Sequence, residues 1–375
     1  MSIYKNIQAV SSLQPFVFDG SKDSLFVEAM KENYGFQLLK HPYLAYEANK
    51  RQIKLDDMNK IEDLYDIPPM FVDLMKYYDF CSYEKQDIAL TLTSSGTKGQ
   101  KTKSYFDQES LNRLTTMAFS VFLDMVYASS TPVHYFIFSY DISKASGIGT
   151  SWSDEQMLSL APKKSEYWMI NWDNKKKGYV FDDEKWARIF IEHSQEGPIR
   201  LLGFPAYMYQ LVETIKKIHG KLTVDPKSFI LAGGGWKNHL GKSMTLKAFR
   251  AYMEDNIGLP PHQIGDTFGL SEHGIPYCSC PYGHYHVPQY SRVRVCDPVT
   301  LATLPLGEEG ALHLLTPYNT AQPNLSLLTT DMVRLGEDCP CQREGVYIKD
   351  IRRGGKHKHK GCAIAAQEIL NKGLA

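Results

Sequence analysis

The sequence contains no apolar run approaching the roughly 20 residues that span a bilayer. Its first residues, MSIYKNIQAVSSLQPF, lack the apolar core of a secretory signal. It also has no excess of either charge, with 42 Lys+Arg against 42 Asp+Glu. Without a basic excess, composition argues against nucleic acid or an anionic membrane as the partner. Cysteine is scarce and odd in number, seven in 375 residues, and includes two Cys-x-Cys pairs. That is no disulfide framework, and without a signal it points to thiols, metal ligands or catalysis in a cytoplasmic chain. Internal repeats, low-complexity tracts and long Gly/Ser linkers are missing as well. What remains is a globular chain long enough for a substantial core.

Hydrophobic periodicity divides this chain. Before about residue 85, helical spacing predicts helices at 24–34 and 55–64 and a short apolar stripe at 71–77, punctuated by Pro68 and Pro69. From Ile88 onward the two periods alternate. Strands are predicted at 88–93, 133–140, 200–204 and 229–232, and helices at 109–127, 185–194, 207–219 and 245–256. Such alternation argues for an α/β sheet. Beyond about residue 275 the pattern becomes β-rich, with strands at 291–296, 310–316 and 326–330. The expected organisation is a helical part (1–87), an α/β body (88–275), a β-rich subdomain (276–350) and a flexible basic tail (351–375).

Segment 93–102, TSSGTKGQKT, directly follows a predicted strand. Gly96 and Gly99 permit tight backbone paths and close approach to a ligand. Ser94, Ser95 and Thr97 add hydroxyls, and Lys98 and Lys101 add charge. With backbone N–H groups this makes a nest suited to a polyphosphate. The spacing is not that of a Walker A loop, and the plain alternative is a polar surface loop.

Four further segments carry chemistry. Gly233, Gly234 and Gly235 follow a predicted strand and would let a flat base pack against backbone. Asp266-Thr267-Phe268-Gly269-Leu270-Ser271-Glu272 offers a carboxylate to a hard dication. Asp331, in Thr329-Thr330-Asp331, can accept two hydroxyls at once. In the tail, a basic run from Lys356 to Lys360 precedes Cys362 and favours its thiolate. A predicted helix at 363–370 would place that thiol at a helix N-terminus, which favours it further.

In this order the segments resemble the adenylate-forming superfamily, in its phenylacetate–CoA ligase branch. The resemblance covers 88–355. Lys98 stands where that family usually has Thr, Lys101 where it has Pro, and Thr330 where it has Gly. The resemblance implies that 94–99 with Lys101 meets the ATP phosphates and that Gly233–Gly235 and Phe268 lie along the adenine. It also implies Mg²⁺ at Glu272, in the Phe268-Gly269-x-Ser271-Glu272 motif, and ribose hydroxyls at Asp331. Arg352 or Arg353 would contact the nucleotide.

The superfamily's usual last domain, of about 100 residues, is here reduced to a tail. A shortened adenylating body ending in a basic, Gly-Cys arm is similar to the acyl-protein synthetases of bacterial bioluminescence, the LuxE type, over nearly the whole chain. That similarity implies a long-chain fatty acid such as tetradecanoate, activated by ATP to its acyl-adenylate and then carried on Cys362 as a thioester. An acyl reductase subunit would take the acyl group to the aldehyde, and an acyl-transferase or thioesterase subunit is a further expected partner. The alternatives are an acyl- or aryl-CoA ligase with a shortened C-terminus and a non-catalytic, zinc-stabilised binding protein.

Two thiol and imidazole clusters suit structural Zn²⁺. The expected ligands are Cys280, His286, Cys339 and Cys341, with Cys278 and His284 as spares. Segments 140–153 and 202–209 are expected as acyl-pocket walls, since apolar and aromatic side chains line such pockets.

Overall fold

The computed structural model describes residues 4–94, 101–141, 149–236 and 243–354. Its helices are α1 (Lys5–Ser11), α2 (Gly20–Lys40), α3 (Pro42–Lys50), α4 (Gln108–Asp124), α5 (Gly149–Met157), α6 (Asp183–Ser194), α7 (Pro205–Ile218) and α8 (Leu246–Ile257). Its early strands are β1 (Met70–Phe71), β2 (Ile88–Thr93), β3 (Lys103–Asp107), β4 (Val133–Tyr140), β5 (Lys163–Asp173), β6 (Gly178–Phe181), β7 (Ile199–Gly203) and β8 (Phe229–Gly233). Later come β9 (Ile264–Phe268), β10 (Tyr277–Ser279), β11 (Tyr285–His286), β12 (Arg292–Cys296), β13 (Glu309–Leu315), β14 (Ser326–Gly336) and β15 (Tyr347–Arg353). The chain forms two compact units, Met1–Val121 with Leu270–Ile275 and His286–Ala375, and Phe122–Gly269 with Pro276–Tyr285.

In the first unit, α2 starts where Asp19 caps it, its carboxylate accepting from the N–H of Ser21 at 3.0 Å and of Lys22 at 3.2 Å. It runs well past both ends of the predicted 24–34. It stops at His41 because Pro42 opens α3 at a position where a missing N–H costs nothing. The expected helix at 55–64 is instead two short 3₁₀ turns, Leu55–Asp57 and Ile61–Asp66. Between them the Asp63 carboxylate accepts from the N–H of Asn59 at 2.8 Å and of Lys60 at 3.0 Å. A side chain thereby takes over backbone donors that a continuous helix would need.

The α1–α2 pair buries Ile7, Val10, Phe26 and Tyr34 in one cluster with Leu315 and Leu325. Asn33 Nδ2 donates to the carbonyls of Pro317 at 2.9 Å and Asn319 at 2.8 Å, and Gln37 Nε2 donates to that of Thr320 at 3.0 Å. The buried turn at 317–320 thus has its acceptors satisfied. The β-rich part is the antiparallel run β12-β13-β14-β15, with β1 parallel to β14, and β2 and β3 form a separate hairpin.

In the second unit the strand order is β10-β9-β8-β7-β4-β5-β6. Strands β9, β8, β7, β4 and β5 are parallel, and the two ends are antiparallel. The chain leaves β4 for β5 on one side and returns as β7 on the other, so the order reverses at β4. In such sheets the crevice for a ligand opens beyond the carboxyl ends of the strands at the reversal. Gly203 ends β7 there with φ of +104°, and a Cβ would come within 2.7 Å of the Phe138 carbonyl oxygen. Only glycine lets the two strands approach this closely. The core under α6, α7 and α8 includes Phe136, Phe138, Phe190, Leu201, Leu211 and Ile230. Among the described residues, no helix is long and apolar enough to cross a membrane.

Candidate functional site

In the first unit, the base of the predicted phosphate loop is closed by a reciprocal pair. Thr102 N–H donates to Ser94 Oγ at 3.1 Å, and Ser94 N–H donates to the Thr102 carbonyl at 3.2 Å. Lys101 is exposed beside this pair. Ser95, Gly96, Thr97, Lys98 and Gly99 lie outside the described residues.

Thr102, itself buried, turns its hydroxyl onto Glu272 Oε1. Ser271 Oγ donates to Glu272 Oε2 at 3.2 Å, and Asn324 Nδ2 holds the Glu272 carbonyl at 2.5 Å. Glu272 is 5% exposed, and among the described residues no cation pairs with it. A buried charge is costly unless it is paired or coordinates a metal, and two hydroxyls alone do not neutralise it. The carboxylate therefore fits a hard dication such as Mg²⁺.

Asp331 is buried on β14, directly opposite Arg353 on β15. Burial pushes its carboxyl above the ordinary range, Arg353 pulls it back, and the Glu272 charge pushes it further up. Arg352, the neighbouring candidate, pairs with Met332 in the ladder, and its Nε donates to Glu309 Oε2 at 2.6 Å. Alternation along the strand puts the two arginines on opposite faces. The geometry brings Arg353, rather than Arg352, to Asp331. After β15 the chain passes so close to Thr330 that a Cβ on Gly354 would collide with the Thr330 carbonyl oxygen. The predicted tail at 351–375 thus begins inside β15, and from residue 355 on, Cys362 included, it lies outside the described residues.

In the second unit, Gly233 ends β8 and Gly234 and Gly235 follow it. Gly234 has φ of +70°, and a Cβ on it would meet the Phe204 ring at 2.5 Å. Phe268 ends β9 half-buried, its ring stacked with Tyr277 at 6.1 Å and 22° and edge-on to Tyr285. Gly269 follows, exposed. Asp266, which sequence reasoning left unassigned within its motif, accepts from Tyr285 Oη at 2.5 Å. Burial raises its carboxyl to about 6 against the lowering effects of Tyr285 and Arg250. Tyr140 stands at the end of β4, 5.8 Å from Phe204, and Tyr179 packs on it at 4.7 Å. Of the expected acyl walls, 142–148 lies outside the described residues.

Of the expected zinc ligands, His286, Cys339 and Cys341 gather in the first unit with ligand atoms within 4.8 Å of one another. His286 Nε2 is 3.2 Å from Cys341 Sγ. This soft donor set suits Zn²⁺. Cys280 belongs to the second unit, buried where a turn closed by Gly283 (Gly283 N–H to the Cys280 carbonyl at 2.8 Å) sends the chain towards residue 286.

Residues 5–371 match the family model described as acyl-protein synthetase, LuxE. A long-chain-fatty-acid–luciferin-component ligase of Aliivibrio fischeri is 25% identical over 99% of this chain and 98% of its own length. Its namesake from Vibrio harveyi is 24% identical over 98% and 96%. Among solved structures, a 2-hydroxyisobutyryl-CoA ligase in complex with 2-HIB-AMP and CoA, in its thioesterification state, superposes with a TM-score of 0.69 at 14% identity, covering 92% of this chain and 70% of that one. The open form of the same ligase gives 0.65 at 12% identity, covering 89% and 75%. The fold is therefore that of the adenylate-forming ligases.

Proposed function

The chain belongs to the LuxE acyl-protein synthetase family, an acyl ligase family, and on that footing we propose that it activates a long-chain fatty acid with ATP and then carries the acyl group on Cys362. The observation that carries the proposal is the buried Glu272 carboxylate held by Thr102 at the base of the Ser/Gly/Lys loop. A buried carboxylate without a cation partner among the described residues supports a metal-binding role for Glu272.

The first step joins a fatty carboxylate oxygen to the α-phosphorus of ATP and breaks the bond to the β-phosphate, releasing pyrophosphate. Lys98 and Lys101 bind the departing negative charge. Mg²⁺ at Glu272 supplies further neutralisation of the phosphates when bound. Asp331 accepts the ribose hydroxyls, with Arg353 beside it to keep the carboxylate ionised. Gly233, Gly234 and Phe268 lie along the adenine, and the aromatic groups about Tyr140 and Phe204 receive the acyl chain. In the second step the Cys362 thiolate attacks the acyl carbon, AMP leaves with the bonding electron pair, and a thioester forms. An acyl reductase subunit then takes the acyl group. His286, Cys339 and Cys341 hold a structural zinc ion.

The test is intact mass after incubation with ATP, Mg²⁺ and tetradecanoate in the absence of coenzyme A, together with acid-dependent ATP–pyrophosphate exchange. The proposal requires exchange and a single acyl adduct on the chain. An adduct that forms only on coenzyme A would replace it with a CoA ligase, and no exchange with any fatty acid would remove the nucleotide chemistry.

A further inference from the structure

At the amino-terminal edge of the parallel sheet in the second unit, far along the strands from the glycine-rich ends just described, two histidines and a glutamate converge. His134 is the second residue of β4 and is 4% exposed. His193 lies in the last turn of α6, and Glu196 follows three residues later. His193 Nδ1 is 2.8 Å from Glu196 Oε2, and His134 Nε2 is 3.7 Å from the same oxygen. All their ligand atoms lie within 4.8 Å of one another.

Two features go beyond a surface ion pair. Each imidazole has its far nitrogen pinned by a hydroxyl, His134 Nδ1 by Ser165 Oγ at 2.7 Å and His193 Nε2 by Tyr167 Oη at 2.6 Å. A hydroxyl on the outer nitrogen selects the tautomer, as the supporting groups around metal-bound histidines do. Meanwhile His134 Nε2 is buried, aimed at the cluster, and has no hydrogen-bond partner. An orphaned buried nitrogen carries a desolvation cost that a bound ion would relieve. Lys164, exposed, donates its ammonium to the Glu196 carbonyl at 3.1 Å.

We propose that His134, His193 and Glu196 form a second metal site, of the two-histidine, one-carboxylate class that suits Zn²⁺ and leaves positions open for water. The rings now lie stacked, with centroids 4.5 Å apart and planes 21° from parallel. In-plane lone pairs of nearly parallel rings do not meet, so a shared ion turns one ring. His193, on the rim with 16% of its side chain exposed, is the one that turns, and its present bond to Tyr167 Oη is exchanged for the ion when it does. The ion would tie the start of β4 to the end of α6, and it differs from the cysteine-rich group in donor chemistry and in unit.

The test is equilibrium dialysis of the metal-stripped full chain against micromolar free Zn²⁺, with zinc counted per chain for the wild type, His193→Gln and Glu196→Gln. One equivalent fewer in each variant, with unchanged circular dichroism, supports the site. Should His193→Gln fail to fold, Glu196→Gln decides, because that carboxylate is half exposed. Equal zinc content in the wild type and Glu196→Gln, or complete loss of zinc in a Cys339→Ser/Cys341→Ser variant, overturns it.

Discussion

Arg353 lies directly across the β14–β15 ladder from the buried Asp331, while Arg352, one residue earlier, is bound to Glu309. The arrangement assigns different jobs to adjacent arginines. Arg353→Gln removes the charge that holds Asp331 down, so the Asp331 carboxyl rises and its ionised, ribose-accepting form is lost at higher pH. The expected outcome in ATP–pyrophosphate exchange is a raised KM for ATP and an acid limb moved to higher pH. Arg352→Gln removes only a solvent-exposed ion pair with Glu309 and leaves exchange unchanged. Equal effects of the two substitutions would contradict this division.

Thr102 and Glu272 are expected to act as a unit. Glu272→Gln should lower exchange on the order of 100-fold, the scale of losing one preorganised charge-stabilising group. Thr102→Val removes a hydroxyl from a charged acceptor, worth about 1.5–3 kcal/mol. It should cost roughly tenfold or more and raise the Mg²⁺ concentration needed for half-maximal rate. Restoration by Thr102→Ser, and a double variant no worse than Glu272→Gln alone, would show the coupling.

Cys362→Ser should abolish acyl labelling of the chain while preserving fatty-acid-dependent exchange. Loss of both, with circular dichroism unchanged, would mean that the thiol takes part in adenylation itself.

Asp266 gives a pH-dependent contribution to stability with a definite sign. Its folded carboxyl lies near 6, above the ordinary value of 3.8. The folded state therefore binds the proton more tightly, and this group stabilises the fold increasingly as pH falls from above 6 towards 4. The buried histidines His273 and His313, held at about 3, act in the opposite sense, losing stability as pH falls below 6.5. The Asp266 share is thus the difference between wild type and Asp266→Asn in urea unfolding. That difference should vary between about pH 4 and 6 and be flat above; a difference flat throughout would sink the assignment.

Much of the fold was legible because the sequence is locally consistent. The apolar run at 133–140 is β4, inside the sheet, and the strand expected at 229–232 is β8, which runs into the glycines; β9 at 264–268 was not anticipated. Strand β5 was not anticipated. Lys163–Asp173 is largely exposed or half-buried, mixes lysines with aromatics and owes its conformation to pairing with β4 and β6. The 55–66 stretch had helical spacing, yet Asp63 captures the donors a helix needs. Glu272 and Asp331 are singled out by motif order alone. Thr102 is not, because its contact with Glu272 joins residues 170 positions apart. Arg352 and Arg353 were indistinguishable until the ladder register set their faces.

The division of the chain has a practical meaning for anyone cutting it. The second unit takes 122–269 and then 276–285, with a six-residue excursion between them. A fragment ending at Gly269 would lack β10 and leave β9 as a bare outer strand. Its row of unsatisfied amides and carbonyls would recruit other molecules. A single stop codon or protease site cannot release this half intact, and such truncations should be recovered as aggregates.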